Sequence, residues 1–273
     1  MRILTMNIFG HHRGWEERRP VLRAGLRDLA PDVVTFQEAI TTSGYDQVAE
    51  LLGPDVHVHH QPGRSDDGVG ASIASRWPLE VVRQSDLHVA AGGDPTGWIG
   101  SLAVVRISVP DPIGPVLLAH HKPTWQSGME HVRELQAVTA ARIIEDLVGG
   151  SDQHVILAGD LDASPETASI RFLSGKQSLD GMSVYFQDAW AACHPCEPGH
   201  TFTPRNPLVS GVWRPRPGRR IDYVFVRCGT KGALLDITSC ELAFSQPVHG
   251  SWASDHFGVV ADLALRPPTT DPP

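Results

Sequence analysis

No run of 18 apolar residues occurs in the chain, so a transmembrane helix is not expected. The first residues, MRILTMNIFG followed by HHRGWEERR, lack the long apolar stretch and the small-residue cleavage site of a signal peptide. The cytoplasm is therefore the expected compartment. Cysteine is scarce. Cys193, Cys196, Cys228 and Cys240 are the four in 273 residues, which points to free thiols under reducing conditions. Cys193-His194-Pro195-Cys196 has the spacing of half a zinc site. A structural zinc site needs a second pair, however, and only the isolated Cys228 and Cys240 remain. Positive charge is also in short supply. Lys and Arg number 23 against 31 Asp and Glu, a formal net charge of −8. That argues against attachment to nucleic acid by bulk charge, though not against a local basic patch. The sequence has no Gly-rich phosphate loop, no G-x-S-x-G elbow and no H-E-x-x-H. It has no internal repeat and no linker in mid-chain, and a monomer is expected.

What is present is the composition of an ordinary globular chain, 41% hydrophobic and 20% charged, with 26 Gly and 22 Pro to make turns. Short β-like runs recur at 2–8, 32–36, 69–75, 102–109, 116–119, 154–158, 221–226 and 257–263, each bounded by Gly, Pro, Asp or Asn. Helical patterns cover 16–29, with Val21, Leu22, Leu26 and Leu29, and 129–148, with Val132, Leu135, Val138, Ile143, Ile144 and Leu147. Ser164-Pro165-Glu166 reads as an N-cap, a first-turn proline and an acid at the positive helix end. Strands mixed with helices predict a layered α/β or α+β domain. Chemistry-bearing residues lie at both ends of the chain. Residues 1–265 are therefore expected to fold as one domain, and the Pro-rich 266–273 to be a disordered tail.

The informative feature is where the polar residues fall. Ile3-Leu4-Thr5-Met6 runs into Asn7, and Val33-Val34-Thr35-Phe36 into Gln37-Glu38. Val116-Leu117-Leu118-Ala119 runs into His120-His121-Lys122, and Val155-Ile156-Leu157-Ala158 into Gly159-Asp160-Leu161-Asp162. Ser254-Asp255-His256 precedes another apolar run. One polar strand end means little, but element ends carry function disproportionately, and five such ends in one chain raise the case sharply. Glu38, Asp160, Asp162 and Asp255 are hard oxygen ligands suited to Mg²⁺ or Mn²⁺ rather than Zn²⁺. His121 and His256 are candidates for proton transfer or for holding a phosphoryl oxygen. Asp222, in Arg219-Arg220-Ile221-Asp222-Tyr223, could orient a histidine or simply pair with a neighbouring arginine.

These pieces carry a family resemblance. The TMN ending at Asn7, the FQE ending at Glu38, the SRWP from Ser75, the His120/His121 strand end, the GDLD from Gly159, the RRIDY from Arg219 and the SDH from Ser254 come in one order. In that order the chain resembles the endonuclease/exonuclease/phosphatase superfamily, which includes deoxyribonuclease I, exonuclease III, inositol polyphosphate 5-phosphatases and neutral sphingomyelinases. The resemblance spans residues 7–256 and implies an α+β fold. This is a four-layer α/β/β/α sandwich of two packed mixed β-sheets, with the site at one sheet edge. It also implies roles. Glu38 is the main metal ligand with Asn7 close by, and Asp255 lies near the metal. Asp160 aligns or deprotonates the attacking water, and Asp222 pairs with His256. Of His120 and His121, the turn at Lys122-Pro123 favours His121 as the residue facing the phosphate.

One position departs from the pattern. Asp162 stands where the family usually has Asn. A carboxylate cannot donate to a phosphoryl oxygen unless protonated, and it repels a phosphate unless a cation intervenes. Asp162 must then bind metal, hold a proton or point away, and the metal-bound state is the expectation. The stretch 201–221 holds Arg205, Arg214, Arg216, Arg219 and Arg220 and no acid. Read as an anion-gripping loop, it puts Arg214, Arg216 and Arg220, with His120, among substrate-binding candidates; read blandly, it is a solvated loop. The expected activity is Mg²⁺- or Mn²⁺-dependent hydrolysis of a phosphoester, on a small molecule or lipid headgroup. A metal-dependent nuclease acting on DNA or RNA is the alternative, and an inactive binding module of the same fold the third reading.

Overall fold

A computed structural model describes residues 1–12, 14–87, 100–210 and 217–266. Fourteen strands and six helices form among them. In chain order they are β1 (Arg2–Asn7), α1 (Trp15–Leu29), β2 (Val33–Thr42), β3 (Tyr45–Asp46), α2 (Gln47–Leu52), β4 (His57–His60), β5 (Val69–Ser75), β6 (Leu79–Asp86), β7 (Ser101–Ile107), β8 (Val116–Lys122), α3 (Glu130–Val148), β9 (Val155–Asp160), α4 (Ala168–Leu173), β10 (Phe186–Asp188), α5 (Ala189–Cys193), α6 (Pro207–Ser210), β11 (Asp222–Gly229), β12 (Gly232–Ala233), β13 (Leu235–Ala243) and β14 (Gly258–Leu265). All eight expected apolar runs are strands. The other six, β3, β4, β6, β10, β12 and β13, are very short or carry exposed and mixed side chains, and so show no continuous apolar run.

The strands make two mixed sheets. One has the order β13-β14-β1-β2-β5-β4 with β3 on β2, the other β10-β11-β9-β8-β7-β6 with β12 on β11. Each sheet contains one parallel pair, β1/β2 and β8/β9, and each pair is joined by a long helix, α1 or α3. Strand alternation sorts the side chains into layers. Ile3, Val33, Ile73, Leu118, Ile156, Val224 and Val259 fill the space between the sheets. Leu4, Met6, Val34 and Phe36 face outward onto Leu22 and Leu26 of α1. Leu117, Ala119 and Leu157 face outward onto Val138, Ala141 and Ile144 of α3. This is the four-layer sandwich that the sequence leads one to expect. The central strands are covered on both faces, which is why they read as unbroken apolar runs.

One local expectation is corrected. The helix after Ser164 begins at Ala168, because Ser164-Pro165-Glu166 closes a turn through Thr167 N–H to Ser164 O at 3.0 Å. Gly159 is required by packing, since a Cβ there would stand 1.9 Å from the carbonyl oxygen of His121 on the neighbouring strand. None of the helices among the described residues is long and apolar enough to cross a membrane. The four cysteines are free thiols, with Cys228 and Cys240 in the inter-sheet core.

Candidate active site

Alternation also decides which polar residues meet. Asn7 continues the β1 face that begins with Ile3, and Asp160 continues the β9 face that carries Ile156 and Ala158. Asp222 opens the β11 face that carries Val224 and Val226. All three therefore point between the sheets, at the edge where β1 and β9 end and the antiparallel β11 begins. Asp160 and Asp222 are direct cross-strand partners.

Asn7 bridges the two sheets. Its Nδ2 donates to Glu38 Oε1 at 3.0 Å and to Asp160 Oδ2 at 3.1 Å, while its Oδ1 accepts the Phe9 N–H at 3.0 Å. Glu38 sits at a β-bulge, where the β2/β5 register shifts between Phe36 and Ala39, and its φ is 56°. A left-handed non-glycine residue costs roughly 1–2 kcal/mol. That cost is borne at the position whose carboxylate is turned toward the cleft. His256 Nδ1 and Asp222 Oδ2 are 2.9 Å apart and buried, which leaves Nε2 for the cavity that His256 lines. Ser254 Oγ donates to Asn7 O at 2.7 Å, and Asn206 Nδ2 donates to Ser254 O at 2.7 Å, so the SDH segment is pinned to β1.

The cluster concentrates negative charge. Asp160 and Asp222 face one another across a ladder, a pairing that is unfavourable without cations. Two cations answer it. Lys122 Nζ bonds both Asp160 Oδ2, at 2.8 Å, and Asp162 Oδ2. His256 is the other. Burial opposes its charge, but Asp222, Asp160 and Asp255 outweigh that and raise its pKa well above the ordinary imidazole value. Burial likewise works against Asp160, yet Lys122, His256 and Asn7 hold it below the usual carboxylate range. Asp162 moves the other way, because burial and the adjacent Asp160 charge outweigh Lys122.

The donor set fits a hard divalent cation. Glu38 and Asp255 line the same cavity, of about 670 Å³. Burial, with Glu38 adding to it, pushes Asp255 up to about 6 against the pull of His256 and Arg18. Two carboxylates lining one cleft with room for water and a phosphate are the kind of ligand Mg²⁺ or Mn²⁺ takes. One ligand atom each from Asp160, Asp222 and His256 also lies within 4.8 Å of the others. In that trio the hydrogen bond takes His256 Nδ1 and Asp222 Oδ2 and leaves Nε2 toward the cavity.

Several sequence expectations are corrected. His121 does not face the site. It shares the outward parity of Leu117 and Ala119, is fully buried, and its Nδ1 lies 3.2 Å from Ser101 O. His120 points between the sheets but is also fully buried, with its ring nitrogens 2.8 and 2.9 Å from the amides of Gln37 and Gln61. Burial drives His120 down to about 3 and His121 to about 4, so both are neutral core histidines. Arg220 packs over the Tyr223 ring and pairs with Asp188 at 2.6 Å, away from the cavity. Its neighbour Arg219 lines the cavity instead and donates to Asp162 O at 2.7 Å. Asp162 is engaged by the Lys122 ammonium, so the expected metal-bound state gives way to an internal ion pair. Asn7 acts as a spacer between carboxylates. Arg214 and Arg216 lie outside the described residues.

Two residues were missed. Lys122 stands at a strand end with no role legible in the sequence, since only the pairing of β8 with β9 carries it to Asp160. Arg18 lies in α1, where a charged residue reads as a solvated face, yet it is 2% exposed. Its guanidinium donates to Ile8 O, Gly10 O, His12 O and Ala253 O at 2.8 to 3.0 Å, tying the loop after β1 to the SDH segment.

Comparison with known proteins agrees with this fold. No curated protein matches the sequence. Among solved structures, truncated Caenorhabditis elegans TDP2 superposes with a TM-score of 0.73 at 16% identity, covering 96% of this chain and 97% of that one. D. rerio TDP2 complexed with a single-strand DNA product gives 0.69 at 19% identity, over 96% and 98% of the two chains. The human Nocturnin catalytic domain with bound sulfate gives 0.70 at 16%, over 97% and 94%. At such identities the likeness is one of fold. The model of the Endonuclease/Exonuclease/phosphatase family matches residues 4–256, nearly the whole chain, and the chain belongs to that family.

Proposed function

We propose that this chain is a divalent-metal-dependent phosphoester hydrolase acting on a small-molecule or lipid-headgroup phosphate. The observation that carries the reading is one connected network, Glu38–Asn7–Asp160 with Asp222–His256, opening onto a single cavity. Glu38 and Asp255 would hold the metal, Mg²⁺ or Mn²⁺. When bound, the metal supplies Lewis-acid stabilisation of charge on phosphoryl and leaving oxygens. Asp160, kept ionised by Lys122, accepts a hydrogen bond from the attacking water and aims it at phosphorus. His256, oriented through Nδ1 by Asp222, presents Nε2–H to the oxygen on which charge develops. Arg219 adds positive charge on the same wall.

The cavity mouth favours a compact substrate. Asp66 and Asp67 are exposed on its rim and would repel a long polyanion. A second reading, hydrolysis of single-stranded nucleic acid, draws on Phe9, Phe202 and the exposed Trp125, flat surfaces on which a base can stack. A panel of generic diesters and monoesters, phospholipid vesicles, RNA and single-stranded DNA, each with Mn²⁺ and with EDTA, tests both. Metal-dependent turnover of a small diester or a phospholipid, with little on polynucleotide, is expected. Preferred and steeply salt-dependent action on polynucleotide would favour the second reading. No metal-dependent turnover of any substrate would sink both.

A further inference from the structure

Resting on that reading, we infer that Lys122 is a substrate-binding cation for a phosphoryl oxygen and that Asp162 is the residue that positions it. Together they replace the neutral amide that the family usually has at position 162. The chain has three lysines. Lys176 and Lys231 are exposed, whereas Lys122 is buried at the end of β8 and lines the cavity with Asp160, Asp162 and His256. Two of its three N–H donors go to Asp160 and Asp162. Among the described residues no acceptor takes the third, and the cavity is the space it borders.

The placement is hard to explain as a structural bond. Side-chain exposures of 4%, 1% and 12% for Lys122, Asp160 and Asp162 mean that three charges are desolvated together. Such clusters often contribute less stability than neutral packing of the same volume. The backbone is strained at the same point, with Asp162 at φ 49° and its carbonyl oxygen held by Arg219. The arrangement makes sense if the ammonium serves the substrate. Asp162 fixes a flexible four-carbon side chain, and the fixed point charge answers a phosphoryl oxygen that an amide would otherwise have met. Asp162 then needs no metal of its own, because its compensating cation is built into the chain.

The test measures inorganic phosphate binding to the purified protein in EDTA, by ³¹P line broadening, alongside turnover of a generic diester with Mn²⁺. Lys122→Met should weaken phosphate binding at least tenfold, since an anion is left where a cation stood. Asp162→Asn keeps the ammonium and removes its neighbour's charge. It should tighten phosphate at least threefold while lowering kcat, because the ammonium is less firmly aimed. Should Lys122→Met fail to fold, the paired variant Lys122→Met/Asp162→Asn removes one carboxylate with the cation and should bind phosphate more weakly than Asp162→Asn alone. Phosphate affinity unchanged within twofold in folded Asp162→Asn, with unchanged kcat, would overturn the assignment and leave the hydrolase reading standing. Shifts as expected, without metal-dependent turnover of any phosphoester, would sink the hydrolase reading and leave Lys122 as an anion-binding group.

Discussion

Arg18→Met keeps most of the side-chain stem and deletes the guanidinium that holds the site's two loops together. Three of the carbonyls it serves, those of Ile8, Gly10 and Ala253, are in fully buried bonds of 2.8, 2.8 and 3.0 Å; Gly10 O keeps the Gln47 Nε2 donor at 3.2 Å, so the variant orphans the other two. An orphaned buried carbonyl costs about 1–3 kcal/mol. The loop after β1 includes the exposed His11 and His12, so water can reach part of the gap and the lower end of that range applies. The sum over two carbonyls is a loss of roughly 2–3 kcal/mol. At about 2–4 °C per kcal/mol for a chain of this size, Tm should fall by roughly 4–12 °C. Arg18→Lys should rescue little, because one ammonium cannot span carbonyls that a planar fork reaches from two sides. The assay is urea unfolding followed by Trp fluorescence, with the metal concentration for half activity measured in parallel. Arg18 sits near Asp255 and Glu38, and loosening it should raise that concentration. A stability loss under about 1 kcal/mol, the ordinary effect of a surface substitution, would refute the reasoning.

EDTA should abolish activity, and Glu38→Gln should raise the metal needed for half activity at least about tenfold, because one hard anionic ligand is lost; a wild-type metal titration in that variant would remove Glu38 from the metal site. His256→Ala and Asp222→Asn should each lower kcat/KM by on the order of 10²-fold or more, with the double variant little worse than the poorer single one, since one residue acts through the other. Fully multiplicative losses in folded proteins would count against the pair. His120 and His121 are held neutral in the fold, with values of about 3 and about 4. On unfolding both regain an ordinary imidazole value near 6.5, so the unfolded state binds more protons below it and stability falls on acidification. The loss should begin near pH 6.5 and approach ~1.4 kcal/mol per pH unit for each histidine. His120→Gln should remove part of that slope, and urea melts between pH 4 and 7 that superimpose with wild type would reject the neutral-core assignment.

The sequence alone determined a good deal. Apolar runs ending in Asn7, Glu38 and Asp160, and one that Asp222 opens, announce strands that deliver polar groups to one edge, and their order along the chain carries the family. The layered fold follows, because two long helical patterns lie between strands that must pair. What the sequence could not hold is the parity of those strands. Central strands covered on both faces have no polar alternation to mark inside from outside, so a shift of one residue changes the face without changing the pattern. His121 and Lys122 exchange roles on that account, as do Arg220 and Arg219. Nor could the sequence show contacts made across sheets or between distant loops: Asn7 on Asp160, 153 residues apart, and Arg18 on Ala253, 235 apart. Asp162 depends on both. As a letter it is an anion misplaced beside a phosphate; in the folded chain it lies against Lys122, because the parallel pairing of β8 with β9 brings the two strand ends together. Local chemistry is written residue by residue, whereas charge compensation is settled only when packing decides which residues are neighbours.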